Sequence, residues 1–318
     1  KIYCMKRWYL YPFSLVYHFV TALRNRMYDW GIFSSTKFKT PMIGVGNLSV
    51  GGSGKSPMVM YLADYLAKNF RTGVLSRGYG RKTKGYGIVN YDSNFKMVGD
   101  EAMQLFERFK NRFVIGVCED RVFGAKKIIE DMDLDVLLLD DSYQHRRIKP
   151  GFNILLTDYN DPYFKDFVLP AGNLRESRRG AKRADIIVVT KCPENITEEK
   201  KQFYISRIKP RYYQKVFFST INYDEEIFCF DPKLKLPDNN MSYYDILLIT
   251  GIANPKTFVE EVKRYSSNVK HLRFKDHHSF TTEDISLIKK EYEKLGEYKL
   301  ILTTEKDYVR LKGFDYLR

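Results

Sequence analysis

Cysteine is scarce in this chain. The 318 residues hold four, Cys4, Cys118, Cys192 and Cys229, far apart, with no C-x-x-C pair and no spacing suited to zinc. That argues against a disulfide framework and a zinc site, and a reducing, cytosolic setting is the simplest reading. No run of eighteen or more apolar residues occurs, so no helix of ordinary length spans a bilayer. Internal repeats and low-complexity tracts are also missing. Acidic residues are the minority: 39 Asp and Glu against 53 Lys and Arg give a formal charge of +14 and a pI near 9.3. Such a balance favours an anionic partner, whether nucleic acid, anionic lipid or a phosphorylated substrate. The sequence shows no nucleic-acid module and its positive charge is spread along the chain, which disfavours the first of these.

What is present is a globular chain, 44% hydrophobic, long enough for two ordinary domains or one large one. It opens on Lys1 rather than Met and is therefore expected to lack a few residues. Residues 8–23, WYLYPFSLVYHFVTAL, are rich in aromatics, broken by Pro12 and His18, and followed by the basic run RNRMYDW. A helix from about Pro12, ending near Arg24 and Arg26, suits the lipid–water interface, and it equally suits packing on a protein core. Further along, short apolar runs alternate with longer amphipathic ones. PMIGVG (41–46), TGVLS (72–76), FVIGV (113–117), LDVLLLD (134–140), NILLTD (153–158) and DIIVVT (185–190) read as strands, with helical patterns at 100–111 and 119–132. The alternation predicts a mostly parallel sheet covered by helices on both faces. The rhythm breaks over 209–245, which marks a boundary. DILLIT (245–250), VKHLRF (269–274) and KLILTT, with helices from Pro255 and about Thr282, then form a smaller α/β unit.

The stretch GNLSVGGSGKSP (46–57) departs by one residue from the phosphate-loop pattern G-x-x-x-x-G-K-[ST], because Ser49 stands where the first Gly belongs. Its position compensates. It lies between a predicted strand and a helix that Pro57 favours, and Gly51, Gly52 and Gly54 can turn backbone N–H groups inward toward the helix N-terminus. Ser49, Val50, Gly51, Gly52, Ser53, Gly54, Lys55 and Ser56 are the candidate nucleotide-binding residues, with Lys55 on the β- and γ-phosphates and the Ser56 hydroxyl on Mg²⁺. A glycine-rich turn with no ligand would look similar. Asp140 and Asp141, ending the apolar run LDVLLLDD, stand where such enzymes place their metal carboxylate, and the two motifs together point to ATP and Mg²⁺. The Thr190-Lys191-Cys192-Pro193 run lacks the guanine-reading Asp of [NT]-K-x-D, which disfavours GTP.

Several further stretches line up in order with that loop: SRGYGR (76–81), GDEAMQL (99–105), DDSYQHRRIKPGFNILLTD (140–158), LPAGNLRE (169–176), FKDHHSFT (274–281) and LTTEKDYVRL (302–311). Together they closely resemble the tetraacyldisaccharide 4'-kinases, from the N-terminal apolar segment to about Leu311. Ser53 and Ser56 stand where Thr is frequent, and Ser142-Tyr143 replaces a more usual Gly-hydrophobic pair. Members of that family usually continue into a further strand, so this chain is expected to stop early.

The resemblance implies an α/β fold: a P-loop NTPase-like, doubly wound, mostly parallel sheet with a second, smaller C-terminal α/β domain and an N-terminal membrane-associated helix. The expected divisions are 1–35 for the interfacial helix, 36–220 for the nucleotide-binding kinase domain and 221–318 for the smaller domain. It implies transfer of the ATP γ-phosphate to the 4'-hydroxyl of an acylated glucosamine disaccharide 1-phosphate, yielding lipid IVA at the inner leaflet of the cytoplasmic membrane, with no obligatory protein partner. Asp100 is then the expected base and His277 its partner, with His278 an alternative by one position. Lys55 and Arg121 are expected at the transferring phosphate. Tyr79, Glu101, Gln144, His145, Arg175 and Glu176 are expected around the acceptor headgroup, and His145, Arg146 and Arg147 form a basic cluster beside the carboxylates. The rival reading is a soluble P-loop ATPase or ligase acting on another anion.

Overall fold

The computed structural model describes residues 7–222, 227 and 241–314. In chain order the main elements are α1 (Tyr11–Asp29), β1 (Met42–Asn47), α2 (Lys55–Leu66), β2 (Thr72–Ser76), β3 (Gly87–Ile88), α3 (Phe95–Val98), α4 (Asp100–Phe109), β4 (Val114–Val117), α5 (Arg121–Met132), β5 (Val136–Leu139) and β6 (Phe152–Asp158). There follow β7 (Ile186–Cys192), α6 (Glu198–Ile208), β8 (Lys215–Thr220), β9 (Asp245–Thr250), α7 (Lys256–Tyr265), β10 (Val269–Arg273), α8 (Thr282–Glu293), β11 (Lys299–Thr303) and α9 (Glu305–Leu311).

An eight-stranded sheet, in the order β3-β4-β2-β5-β1-β6-β7-β8, carries the first two thirds of the chain, and a three-stranded sheet, β10-β9-β11, carries the rest. Every pairing is parallel except β3 with β4. Parallel sheets are covered on both faces, which is why the central strands are apolar throughout rather than alternating. The VLLL of β5 is buried at all four positions. Helix starts follow local chemistry: the Asp120 carboxylate accepts from the Val122 and Phe123 amides at the start of α5, and Thr281 with Asp284 forms a reciprocal capping box on α8.

The expected strands all form, shifted at their ends by no more than two residues. The two-residue β3 and the edge strand β8 were not expected. β8 falls inside the stretch read as a boundary, so the large sheet extends into it; DPKLKLPDNN (231–240) lies outside the described residues. The short α9 joins the two sheets. Val309 enters the core beneath the large sheet while Leu311 enters that of the small one.

Helix α1 does not pack on the core. Only Ser14 of it is buried, while Phe13, Val16 and Phe19 are 65%, 65% and 66% exposed. It is held by polar contacts along one side. Ser14 Oγ accepts from the Ala171 amide at 2.9 Å, Tyr17 donates to the Arg175 carbonyl at 3.0 Å, and Asn25 donates to Glu176 at 2.8 Å.

Close packing at Gly46 seats the turn after β5 against β1. A Cβ there would lie 2.6 Å from Tyr143 Cβ and 3.0 Å from the Tyr143 amide, contacts that only a backbone shift relieves. Gly46→Ala is therefore expected to lower unfolding free energy by about 1–3 kcal/mol, the usual cost of overpacking. An unchanged urea midpoint would contradict this packing.

Candidate active site

Parallel strands bring their C-terminal ends to one edge, and in open α/β sheets ligands bind there. The glycine loop leaves β1 at that edge and enters α2 through Gly54, which adopts the left-handed region at φ 82° and offers no side-chain cap to the helix. The first amides of α2 therefore remain for a ligand. The loop is fastened from the sides. Ser49 pairs with Leu174, the Val50 amide donates to the Asn173 carbonyl at 2.7 Å, and Thr190 Oγ1 donates to the Ser53 carbonyl at 2.9 Å. Lys191 bridges Gly52 O and Asp158. Ser49 and Val50 thus serve as edge contacts, while Gly51 and Gly52 have open space where a Cβ would be. Ser53 Oγ is buried with no hydrogen-bond partner.

Lys55 Nζ lies 3.3 Å from Asn47 Oδ1 and 3.7 Å from Asp141. Ser56 Oγ donates to Glu101 Oε1 at 3.2 Å. Asp140 and Asp141, adjacent in sequence, meet different surroundings. Asp140 is 3% exposed and its Oδ1 has no partner; burial, then Glu101 and Asp141, push its pKa up to about 7. Burial alone would raise Asp141 too, but Lys55 and Arg175 outweigh it and hold that carboxyl below its ordinary value. Arg175 Nη1 lies 3.0 Å from both Asp141 oxygens and 3.2 Å from Gln144 Oε1.

Asp100 opens α4 directly after Gly99, whose φ is 89° and where a Cβ would lie 2.9 Å from the Tyr79 carbonyl. The Asp100 carboxylate is 6% exposed. It meets His277 Nδ1 at 2.7 Å, while Lys306 stands 3.0 Å from His277 Nε2 and Arg310 Nε 3.9 Å from Asp100. His277 holds a positive φ of 57°, and the exposed Tyr79 ring meets its imidazole edge-on at 5.6 Å. His278 is turned away. Its Nε2 bonds to Asp284 at 2.8 Å and its ring stacks on Phe274, so His277 is the histidine at the site.

Three expectations need correction. Arg121 is 3% exposed and spends Nη1 and Nη2 on the Cys118 and Asp140 carbonyls, at 2.7 and 2.9 Å; it supports the Asp140 turn from below. The basic cluster at 145–147 does not form. Burial, with Arg121 and Arg77 nearby, pushes His145 down to about 4, Arg146 is tied to the Asn25 carbonyl and Asp29, and Arg147 pairs with Asp120. Glu176 is buried, with Oε1 taking bonds from Gln144 and Arg183 and Oε2 from Asn25 and Arg183, so it ties α1 to the site. Tyr143 likewise points inward, its hydroxyl on the Gly180 carbonyl at 2.8 Å under the Arg183 guanidinium.

Residue-level reading passed over Lys306 and Arg310, although both stand in LTTEKDYVRL. A lysine on a seven-residue helix reads as solvated until the helix is seen against His277. Among the described residues no group of three or more His, Cys, Asp or Glu side chains gathers to hold a metal ion.

Comparison with known proteins follows the same lines. Residues 6–318 match the sequence profile of the family described as tetraacyldisaccharide-1-P 4'-kinase. A tetraacyldisaccharide 4'-kinase of Flavobacterium johnsoniae is 44% identical over 304 residues, covering 95% of this chain and 87% of that protein. One of Bacteroides thetaiotaomicron is 42% identical, covering 95% of this chain and 82% of that protein. The crystal structure of the "apo" form of LpxK from Aquifex aeolicus in complex with ATP superimposes with a TM-score of 0.73 at 32% identity, covering 97% of this chain and 91% of that one.

The contact with Asp100 holds His277 above its ordinary pKa, while burial and Lys306 oppose that rise. The same contact, with Lys306 and Arg310, outweighs burial and lowers Asp100. Stability drawn from raised His277 is complete below pH about 6.5 and is lost as pH rises through its folded pKa. That from lowered Asp100 is complete above about 3.8 and is lost as pH falls through its folded pKa. Asp100→Asn is expected to bring the His277 pKa down and Lys306→Met to raise it further, as read by NMR titration of the imidazole. Identical titrations in all three proteins would remove the pairing.

Proposed function

The chain belongs to the tetraacyldisaccharide-1-P 4'-kinase family, and on that premise we propose how its residues carry out ATP-dependent phosphorylation of a tetraacyldisaccharide 1-phosphate at the 4'-hydroxyl, the step that forms lipid IVA. One observation carries the reading. Ser56 in the glycine loop bonds to Glu101 at 3.2 Å, so the phosphate-binding residues stand beside the Asp100–His277 pair contributed by both sheets.

The loop amides, the α2 N-terminus and Lys55 receive the ATP phosphates, a P-loop NTPase-like use of the fold. Asp100 accepts the proton of the 4'-hydroxyl, and His277 fixes the carboxylate's orientation through Nδ1. A carboxylate with a lowered pKa is a weak base. That suits phosphoryl transfer through a loose transition state, in which the attacking oxygen keeps its proton until late. Lys55 and Arg175 supply positive charge where the transferring oxygens gain negative charge. Arg121 acts beneath the site by positioning the Asp140 turn. Tyr79, Glu101, Gln144 and Arg175 border the space open to the acceptor headgroup; Glu176 and His145 shape it from behind.

The donor set fits Mg²⁺. Asp140 presents a buried carboxylate oxygen with no partner, its proton affinity raised by burial first and then by Glu101 and Asp141, and a cation there relieves the like-charge repulsion. Ser56 and Asp140 would hold the ion, with Asp141, already paired to Arg175, as the neighbouring carboxylate. When bound it would screen charge on the ATP phosphates. Few protein ligands are needed, since magnesium is usually shared with substrate phosphates and water.

Helix α1 is the expected membrane contact, a peripheral one at the cytoplasmic leaflet. No helix among the described residues is long and apolar enough to cross a membrane. The exposed Trp8, Phe13, Val16, Phe19 and Trp30, with Arg24 and Arg26 at the basic end, form a surface suited to the headgroup boundary. Its polar side runs along the Arg175–Glu176 segment, which brings an acylated acceptor to the site. The residue divisions 1–35, 36–220 and 221–318 correspond in this reading to docking helix, nucleotide domain and the domain that brings His277.

ATP-dependent labelling of the purified acylated disaccharide 1-phosphate tests the function. Lys55→Ala and Asp140→Ala are expected to abolish transfer with the fold retained by circular dichroism; near-normal labelling by either would remove the loop assignment. Deleting residues 1–24 is expected to weaken flotation with liposomes far more than ATP binding. Unchanged flotation would show that α1 has no docking role.

A further inference from the structure

Away from the phosphate loop lies a second concave site. A cavity of about 720 Å³ is lined by twelve residues, seven of them Lys or Arg and none Asp or Glu. Its walls come from residues 163–165 after β6, the Arg178–Arg183 turn before β7 and residues 207–214 before β8, and none of its lining residues belongs to the glycine loop. Among the described residues none of the seven cations is in an ion pair with a carboxylate, so their charge is not neutralised from within. Like charges gathered around a concavity repel one another, and an anion relieves that repulsion.

Tyr163 is an independent pointer. Its ring lines the same cavity and is 4% exposed, yet its hydroxyl has no hydrogen-bond partner. A buried hydroxyl without a partner is destabilising unless a ligand or water supplies one. Burial raises its pKa to about 12, so it remains a donor at neutral pH. Seven Lys and Arg around one concavity, with Tyr163 among the lining residues, is the chemistry of a phosphate receptor.

The cavity also adjoins the exposed face of α1. Arg178 lines it, donates Nε and Nη2 to the Asp166 carbonyl at 3.0 and 2.7 Å, and lies 5.8 Å from the exposed Phe167 ring; Tyr11 of α1 meets that ring edge-on at 5.9 Å. From Tyr11, α1 runs about 20 Å to Arg24 and Asn25, which contact Gln144 and Glu176 beside the kinase site. A membrane lying on that face would meet both ends.

We propose that this cavity binds the phosphate headgroup of an anionic glycerophospholipid, distinct from the acceptor, and so orients the protein on the bilayer. The assignment builds on the docking role given to α1, but it is tested without a bilayer. The full chain, saturated with ATP to occupy the kinase site, is titrated calorimetrically with dihexanoyl phosphatidylglycerol below its micelle concentration, and separately with inorganic phosphate. Tyr163→Phe is expected to weaken binding of the short-chain lipid about tenfold, the scale of one hydrogen bond to a charged group. Lys182→Glu with Arg211→Glu is expected to weaken it at least twentyfold. Both variants should keep turnover on detergent-dispersed acceptor. Absence of lipid binding, or binding that neither variant alters, would overturn the site. Inorganic phosphate binding as tightly as the lipid, with the same losses in the variants, would assign the cavity to free phosphate and overturn the headgroup reading. Failure of the α1 docking role would appear instead in vesicle flotation and would leave these titrations unchanged.

Discussion

The 2.7 Å contact between Asp100 and His277 joins two halves of the chain that are 177 positions apart. Asp100 stands at the N-terminus of α4 in the large sheet's layer, and His277 follows β10 of the small sheet. The rest of the arrangement supports that meeting. Helix α9 lies between the layers, with Glu305 bonded to Gln104 and Arg108 at 3.2 and 2.8 Å and Lys312 to Glu107 at 2.6 Å. Lys306 and Arg310 come from the same helix. Arg310 pairs with the fully buried Asp307 at 3.0 Å, and Asp307 in turn accepts from the Gly251 amide at the end of β9. A break anywhere in this chain of contacts would loosen the geometry around Asp100. Buried charges earn their place by being paired, and removing one partner costs more than the pair contributes.

On the other side of the site, Glu176 plays the corresponding part. It collects Asn25 from α1, Gln144 from the turn after β5 and Arg183 from the start of β7, so α1 and the edge that carries the glycine loop share one polar network. The arrangement explains how a helix with only one buried residue keeps its orientation. Its apolar surface is left outward because polar side chains, not a hydrophobic seam, hold it. The proposed kinase site and α1 are therefore linked through side chains a few ångströms apart.

Much of this was legible in the sequence for physical reasons. Strands buried on both faces read as apolar runs, and β2, β9 and β11 appear at the residues expected. The loop announced itself through glycine and the Gly54-Lys55-Ser56 ending. Pairwise meetings were less legible. Nothing local in GDE or DHH says that Asp100 and His277 touch; the pairing came from the family resemblance, and the choice between His277 and His278 needed the turn geometry that sends one ring inward and the other onto Phe274. Arg146 reads as a phosphate ligand by its neighbours, yet its partners lie in α1, more than a hundred residues away. The two residues of β3 are too few to carry a pattern, and in β8 the basic and aromatic flanks disguise an edge strand.

The central claim is that Asp100 and His277 act as one unit. The most direct measurement is turnover of Asp100→Ala, His277→Ala and the double variant at saturating ATP. Each single variant should lose about a hundredfold or more, the scale of general-base catalysis, and the double should be scarcely worse than the more damaged single one. Losses that multiply in the double variant would mean that the two groups act independently, and the account of the site would be wrong.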